Sequence, residues 1–367
     1  MTRRETYLDW NATAPLRPEA AAAVASALAL GGNPSSVHGR GRVARQLVEE
    51  SRAAVAALAG APADAVVFTS GGTEANHLAL LGAGRERVLI SAVEHSSVLR
   101  AAPEAERIPV DRDGLVDIEA LIALLAADHR PALVSVMLAN NETGVIQPAA
   151  EIAGIAHANG ALFHCDAVQA AGKMPLSLAA IGADFLTLSA HKIGGPAGIG
   201  ALVMAPGAEV TPLQRGGGQE RNCRAGTENL AGIAGFAAAA AACDPAEYGR
   251  VRALRDRLEA ALPPEAIVIA AGAPRLPNTS AIAMPGVPAE TQVIALDLDG
   301  VMVSAGAACS SGKVGPSHVL AAMGVAPDIA DATIRVSLGW STTDADIAHF
   351  LDSWTALYRR TRGRQAA

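Results

Sequence analysis

Between about residues 60 and 205 the chain alternates short β-rich runs with helical stretches, and that rhythm restricts the fold more than any other feature. "AVVFTS" leads into "GGTEANHLALLGAG", "RVLISAVE" into "HSSVLRAAPEA", and "ALVSVMLA" into "NNETGVIQP", where Pro148 opens a further helical pattern. "GALFHCDAVQ" and "ADFLTLSAHK" read as two more strands, and "GIGALVMA" as another that returns beside "TLSAHK". Alternation of this kind predicts an α/β fold, a mostly parallel sheet between covering helices. After about residue 245 the charged run "EYGRVRALRDRLEAAL" gives way to "AIVIA", "NTSAIAMPG", "VSAGAACSS" and "DATIRVSLGW", an α+β pattern. The expected division is a large domain over residues 21–245 and a small one formed by 1–20 with 246–367, the first stretch being too short to fold alone.

Composition removes several classes of function. The formal charge of -7, from 36 acidic and 29 basic residues, leaves no general footprint for nucleic acid, and none is expected to bind directly. The tail "RRTRGRQ" reads as solvated surface. The most apolar run, "AGIAGFAAAAAAC", is short and alanine-rich and predicts a buried helix, not a membrane span. The N-terminus carries no basic-plus-apolar signal pattern. The four cysteines, Cys165, Cys223, Cys243 and Cys309, show neither CxxC nor zinc spacing, so a reducing cytoplasmic location is expected.

Chemistry-bearing residues cluster just after the strand runs, where open α/β sheets place their ligands. "LTLSAHKIGGPAGIG" puts Lys192 at a strand end. Such a lysine is ordinarily a surface charge; the alternative is an amine that links covalently to an aldehyde cofactor. Pyridoxal phosphate would further need an acid for its ring nitrogen, a ring to stack on, donors for its phosphate and an anchor for a substrate carboxylate. Asp166 follows a strand and could serve the nitrogen, with Gln169 three residues on for the 3-oxygen. "SGGT", with Gly72 and Thr73, offers backbone N–H groups at a helix start but lacks the lysine of a nucleotide-binding loop. His95 is either a stacking ring or a core histidine, and Asn141 and Glu142 could be turn formers. Arg335, inside the apolar strand "TIRVSLG", must pair with a substrate carboxylate or a structural aspartate. Cys309 stands among small residues in "SAGAACSSGKVGPSHVL", as filler, metal ligand or nucleophile.

The whole set of segments resembles the cysteine desulfurases, fold-type I pyridoxal-phosphate enzymes of the class-V aminotransferase kind. The matching stretches include "LDWNATAPL", "GNPSSVHGRG", "FTSGGTEANH", "VEHSSVL", "NNETGVIQP", "HCDAVQAAGK", "LSAHKIGGPAGIGAL", "RGGGQERNCRAGTENLAGIAGF", "SAGAACSSG" and "IRVSLGWSTTDADI", in family order over nearly the whole chain. The resemblance implies an aspartate-aminotransferase-like fold with a seven-stranded central sheet, and a homodimer. It also implies conversion of L-cysteine to L-alanine, the sulfur passing to Cys309 as a persulfide and on to an acceptor thiol. Lys192 would carry the cofactor and His95 would stack on its ring and shuttle protons, helping to ionise Cys309. Asp166 and Gln169 would hold the ring nitrogen and 3-oxygen, and Asn141 would contact substrate and cofactor. Gly72, Thr73, Ser189 and His191 fall on the phosphate site, and Thr227 on a phosphate ligand crossing from the other subunit. Arg335 matches the carboxylate anchor, with Asn33 as a lesser contributor. The eight residues from Cys309 to Ser317 match the longer kind of cysteine loop. The acceptor would belong to iron–sulfur cluster assembly or tRNA thiolation. Selenocysteine lyases and cysteine sulfinate desulfinases or β-lyases share this machinery, and dependence on Cys309 separates them. The other three cysteines read as structural thiols.

Overall fold

The structure, a computed structural model, describes residues 4–306 and 317–365. In chain order it begins with β1 (Thr6–Tyr7), α1 (Pro18–Leu30), α2 (Gly39–Leu58), β2 (Val66–Thr69), α3 (Gly72–Gly82), β3 (Arg87–Ser91), α4 (Ser96–Ala101) and β4 (Glu106–Ile108). Next come α5 (Ile118–Ala127), β5 (Ala132–Ser135), α6 (Ala149–Ala158), β6 (Leu162–Asp166), α7 (Leu178–Ile181), β7 (Phe185–Ser189), β8 (Gly200–Met204) and α8 (Leu230–Ala241). The remainder holds α9 (Glu247–Ala260), β9 (Ile267–Val268), β10 (Thr279–Ala283), α10 (Ala289–Leu298), β11 (Val301–Met302) and β12 (Ser304–Ala305). It closes with α11 (His318–Ala322), α12 (Pro327–Asp331), β13 (Thr333–Ser337) and α13 (Asp344–Gln365).

Seven strands form the central sheet in the order β2-β8-β7-β6-β5-β3-β4. Neighbours are parallel except β8, which runs antiparallel to both β2 and β7. This is the mostly parallel sheet the alternation predicts, with "GIGALVMA" returning beside β7 as expected. All residues of β2, β5 and β7 are buried, because the sheet is covered on both faces and no strand side is left for water. Val66, Phe68, Phe163 and Leu186 pack into one core, while the alternate positions Val67, Phe185 and Leu202 point into another across the sheet. The alanine-rich run becomes α8, lying against α1 and α2. Gly235 lets α8 approach closely: a Cβ there would sit 2.7 Å from Val24 and 2.8 Å from Pro196. Among the described residues no helix is long and apolar enough to cross a membrane.

A smaller sheet, β12-β13-β10-β9, is antiparallel and packs over Leu254, Ile334, Val336, Phe350 and Trp354. The N-terminal stretch joins it: β1 pairs with β11, and Asp9 bridges to Ser337 at the end of β13. Asp9 to Asn11 therefore arrive where the two sheets meet. The carboxyl ends of β2, β3, β5, β6 and β7 open onto the same edge, the place where sheets of this class hold ligands.

Candidate active site

A cavity of about 330 Å³ occupies that edge. Asp166, Gln169, His95, Lys192, Arg335 and Asn141 all reach it, and so do Gly72, Thr73, Ser189 and His191. Most of the residues singled out in the sequence are thus brought to one place from elements as far apart as α3 and β13.

Asp166 ends β6 and is buried. Its Oδ2 accepts from Asn76 Nδ2 at 2.8 Å and its Oδ1 from Val168 N at 3.0 Å. Asn76 lies one helical turn into α3 from Gly72, and its Nδ2 also donates to Ser97 Oγ at 2.8 Å. Ser97 in turn meets His95: its backbone N–H donates to His95 Nδ1 at 3.1 Å, and its hydroxyl lies 2.8 Å from the same nitrogen. A nitrogen that accepts an N–H carries no proton, so this bond network assigns neutral His95 the Nε2–H tautomer. Burial lowers the pKa of His95, with the Asp166 charge opposing and Lys192 and His318 adding to the fall. As held here, Nε2 is a donor. The proton-acceptor role the resemblance implies would require His95 to give up its Ser97 bond.

Behind Asp166 lies Glu94, wholly buried, with Oε1 accepting from Met137 N at 2.6 Å. Burial, and then the Asp166 charge, push its pKa well above the usual carboxylate range.

Lys192 follows β7 in a single 3₁₀ turn, and its Nζ donates to the carbonyls of Asn11 at 2.6 Å and Ala12 at 2.8 Å. It is half-buried, which sets aside the solvated-charge alternative. Asn11 is the residue that sequence reasoning missed. It is 1% exposed, and its carbonyl takes Gln169 Nε2 at 3.0 Å as well as Lys192. Its side-chain oxygen accepts from Lys173 Nζ and Asn278 Nδ2, and its Nδ2 donates to Asn141 O and Thr279 Oγ1. Lys173 also donates to Gln169 Oε1 at 2.8 Å, which orients that amide with its nitrogen toward Asn11. With two amide oxygens as hydrogen-bond partners, the fully buried Lys173 has its pKa driven well below the lysine range by burial, Lys192 and Arg335.

Of the two partners the sequence left open for Arg335, on β13, the structure supplies the aspartate. Its Nη2 pairs with Asp9 Oδ1 at 2.7 Å and its Nη1 donates to Asn141 O at 3.1 Å. Its buried Nε has no hydrogen-bond partner among the described residues. A structural aspartate is present, yet donor capacity remains at the cavity wall.

At the far end, α3 starts without a side-chain cap. Gly72 lets the chain pack closely there: a Cβ would come to 3.0 Å from Val168 and 3.4 Å from Ser189. The turn before it is pinned by Glu74, which accepts from Ser70 N at 2.6 Å and pairs with Arg224 at 2.9 Å. His191 lies beside Thr13 Oγ1 at 3.3 Å, its pKa lowered to about 4 by burial and the Lys192 charge. Gly72, Thr73, Ser189 and His191 line an adjoining open groove of about 640 Å³ as well. Thr227 is exposed and lines a separate recess with Ser70 and Arg224. Asn33 is not brought to the cavity: it is exposed on the loop after α1, accepting from Ser35 N. Cys309 lies outside the described residues.

A class-V aminotransferase family model matches residues 6–350. A cysteine desulfurase of Cereibacter sphaeroides is 47% identical over 364 residues, 94% of each chain. The chain belongs to the cysteine desulfurases. Solved structures agree with the fold: a NifS-like protein from Rickettsia africae superposes with a TM-score of 0.90 at 38% identity, over 97% of this chain and 100% of that one. A structure titled "SspA in complex with cysteine" gives 0.79 at 27% identity, over 91% and 98%.

Members of this family are pyridoxal-phosphate enzymes, and the donor set here suits that cofactor. A buried carboxylate, an amine held by carbonyls, an uncapped helix start and a guanidinium with a spare buried N–H surround one cavity. Burial raises the thiol pKa of the three described cysteines: of Cys223, of Cys243 to about 11, and of Cys165 far above its ordinary value.

Proposed function

We propose that this chain takes sulfur from L-cysteine onto Cys309 and releases L-alanine, using pyridoxal phosphate bound in the 330 Å³ cavity. The observation that carries the reading is the convergence of Asp166, Lys192 and Arg335 on that one space. Lys192 would link to the cofactor aldehyde, Asp166 would keep the ring nitrogen protonated, and Gln169 would face the 3-oxygen. His95 would lie over the ring and Asn141 beside it. Gly72, Thr73, Ser189 and His191 would hold the phosphate, with Thr227 of a second copy completing it in a homodimer. When bound, the cofactor supplies an electron sink for charge developing at the substrate α-carbon.

The chain's own residues do the rest. Arg335 holds the L-cysteine carboxylate. The Lys192 amine, once released from its link, moves the α-proton. Cys309, as thiolate, forms an S–S bond to the substrate sulfur while the substrate Cβ–S bond breaks. The sum is L-cysteine plus the Cys309 thiol giving L-alanine plus a Cys309 persulfide, with no outside oxidant. The persulfide then passes by thiol exchange to an acceptor protein of iron–sulfur cluster assembly or tRNA thiolation in the cytoplasm.

Purified protein given L-cysteine should release alanine, and Cys309→Ala should keep the cofactor absorbance yet form no persulfide. Alanine released at the full rate by Cys309→Ala would make the protein a lyase instead.

A further inference from the structure

Residues 306 and 317 bracket the stretch that carries Cys309, and both lie close to the Glu142 carboxylate. Ser317 Oγ donates to Glu142 Oε2 at 2.6 Å. A Cβ built on Gly306 would stand 3.2 Å from the same oxygen and 3.9 Å from Ser317 Cβ. Ser317 Oγ also accepts from Leu320 N at 3.1 Å to cap α11, so its single proton is directed at Glu142. Glu142 is itself fixed: its N–H and that of Thr143 donate to Asn140 Oδ1, and Asn140 Nδ2 donates to Val93 O.

The next residue back is Asn141, which lines the cavity and whose carbonyl takes both Arg335 Nη1 and Asn11 Nδ2. A carboxylate buried to 5% exposure is costly to keep, and a serine needs no acid in order to cap a helix. Its placement has one geometric consequence: Ser317, at one end of the Cys309 stretch, is tied through Glu142 and Asn141 to the wall that carries Arg335, and Gly306 lies close beside the same carboxylate. We propose that Glu142 is a positioning residue for sulfur transfer, setting the base of the Cys309 stretch relative to the substrate carboxylate anchor. The inference rests on the reading of Cys309 as sulfur acceptor.

Among the described residues the charged groups that act on Glu142 are few. Arg335 on β13 lowers its proton affinity, as does the Ser317 bond, while Asp9 shares the guanidinium from the other side. His318, next to Ser317 on α11, turns Nε2 to Glu94 O instead. Burial outweighs these and lifts the Glu142 pKa to about 7. Below neutrality the carboxyl acquires a proton of its own, and the Ser317 bond loses its charge.

The test is a single turnover of the cofactor-loaded protein with L-cysteine. The cofactor absorbance change reports substrate arrival, and the quenched Cys309 peptide mass reports sulfur transfer. Glu142→Ala should leave the first step within about twofold and slow the second about tenfold or more, the scale of a misplaced reacting group. Glu142→Gln keeps the shape and guards against a folding failure in the alanine variant. It should flatten a transfer-rate dependence near neutral pH that the unaltered protein shows. Transfer at the unaltered rate and pH profile in both variants, or equal slowing of both steps, overturns the proposal. An unaltered protein that adds no sulfur to Cys309 overturns the functional reading, and this inference with it.

Discussion

At the ring end of the cavity, Asp166, Gln169 and Lys173 are each 5% exposed or less, and Gln169 is bonded across 158 residues of sequence to Asn11. At the phosphate end, Ser70, Thr73 and Thr227 are exposed, and the space runs on into an open groove. Both ends sit on strand ends of one sheet, so the contrast lies in what surrounds them. The ring end is crossed by the N-terminal stretch, whose amide groups bind partners from β10, the β5–α6 loop and the residues after β6 and β7. The phosphate end has no such strap within the described residues of one chain. A single copy preorganises the ring end, whereas the proposed phosphate site would rely on wetter donors and, as proposed, on Thr227 of a second copy.

The largest effect that sharpens this contrast comes from Lys192→Ala. The ring end should remain folded but lose its covalent hold, so that the visible absorbance of the loaded protein disappears. Asp166→Ala comes next, with turnover falling by about two orders of magnitude, the scale of a lost preorganised electrostatic contact. Cofactor retention by dialysis should change far less than turnover. Asn11→Ala should cost about 1–3 kcal/mol in denaturant unfolding, because the buried Lys173 and Thr279 side chains each lose one of their two hydrogen bonds. If Asn11→Ala unfolds no more easily than the parent, the strap is not what stiffens the ring end. Thr227→Ala should weaken cofactor affinity by only about fivefold, corresponding to about 1 kcal/mol for one exposed hydrogen bond. Mixing it with Lys192→Ala chains would restore tight sites if the residue crosses between copies.

The smallest effect is a difference in titration. Buried His164, bonded to Ser135 and Thr187 beneath the ring end, and His191, at the phosphate end, both have pKa values lowered to about 4 from an ordinary 6.5. A depressed histidine contributes stability that is present above about 6.5 and is lost as the pH falls toward 4, because the unfolded chain takes up protons first. Adding cofactor should raise the His191 midpoint, through the phosphate charge, and leave that of His164 where it is. NMR titration of the two rings would show this, and equal movement of both would erase the distinction.

The sheet and most of the cavity were legible in the sequence because strand-then-helix alternation and polar strand ends are local signals. Asp166, His95 and Lys192 stand directly after the apolar runs that place them. Asn11 was not legible in its role. It sits in a stretch too short to fold alone, and its partners at 141, 169, 173, 192, 278 and 279 are scattered through the chain. The same holds for Asp9 beside Arg335, although the need for such a partner followed from an arginine inside an apolar strand. Glu142 read equally well as a turn former because nothing local announces its contact with Ser317, 175 positions away. Asn33 shows the converse: family order pointed to it, yet in this chain it is exposed and accepts from Ser35 N in its own turn.

The central claim is that Lys192 and Cys309 act on one molecule of L-cysteine. Mass spectrometry of the Cys309 peptide after exposure to L-cysteine, in the unaltered protein and in Lys192→Ala, tests it most directly. One added sulfur in the first and none in the second is the predicted result. Sulfur on Cys309 in both, or in neither, would contradict it.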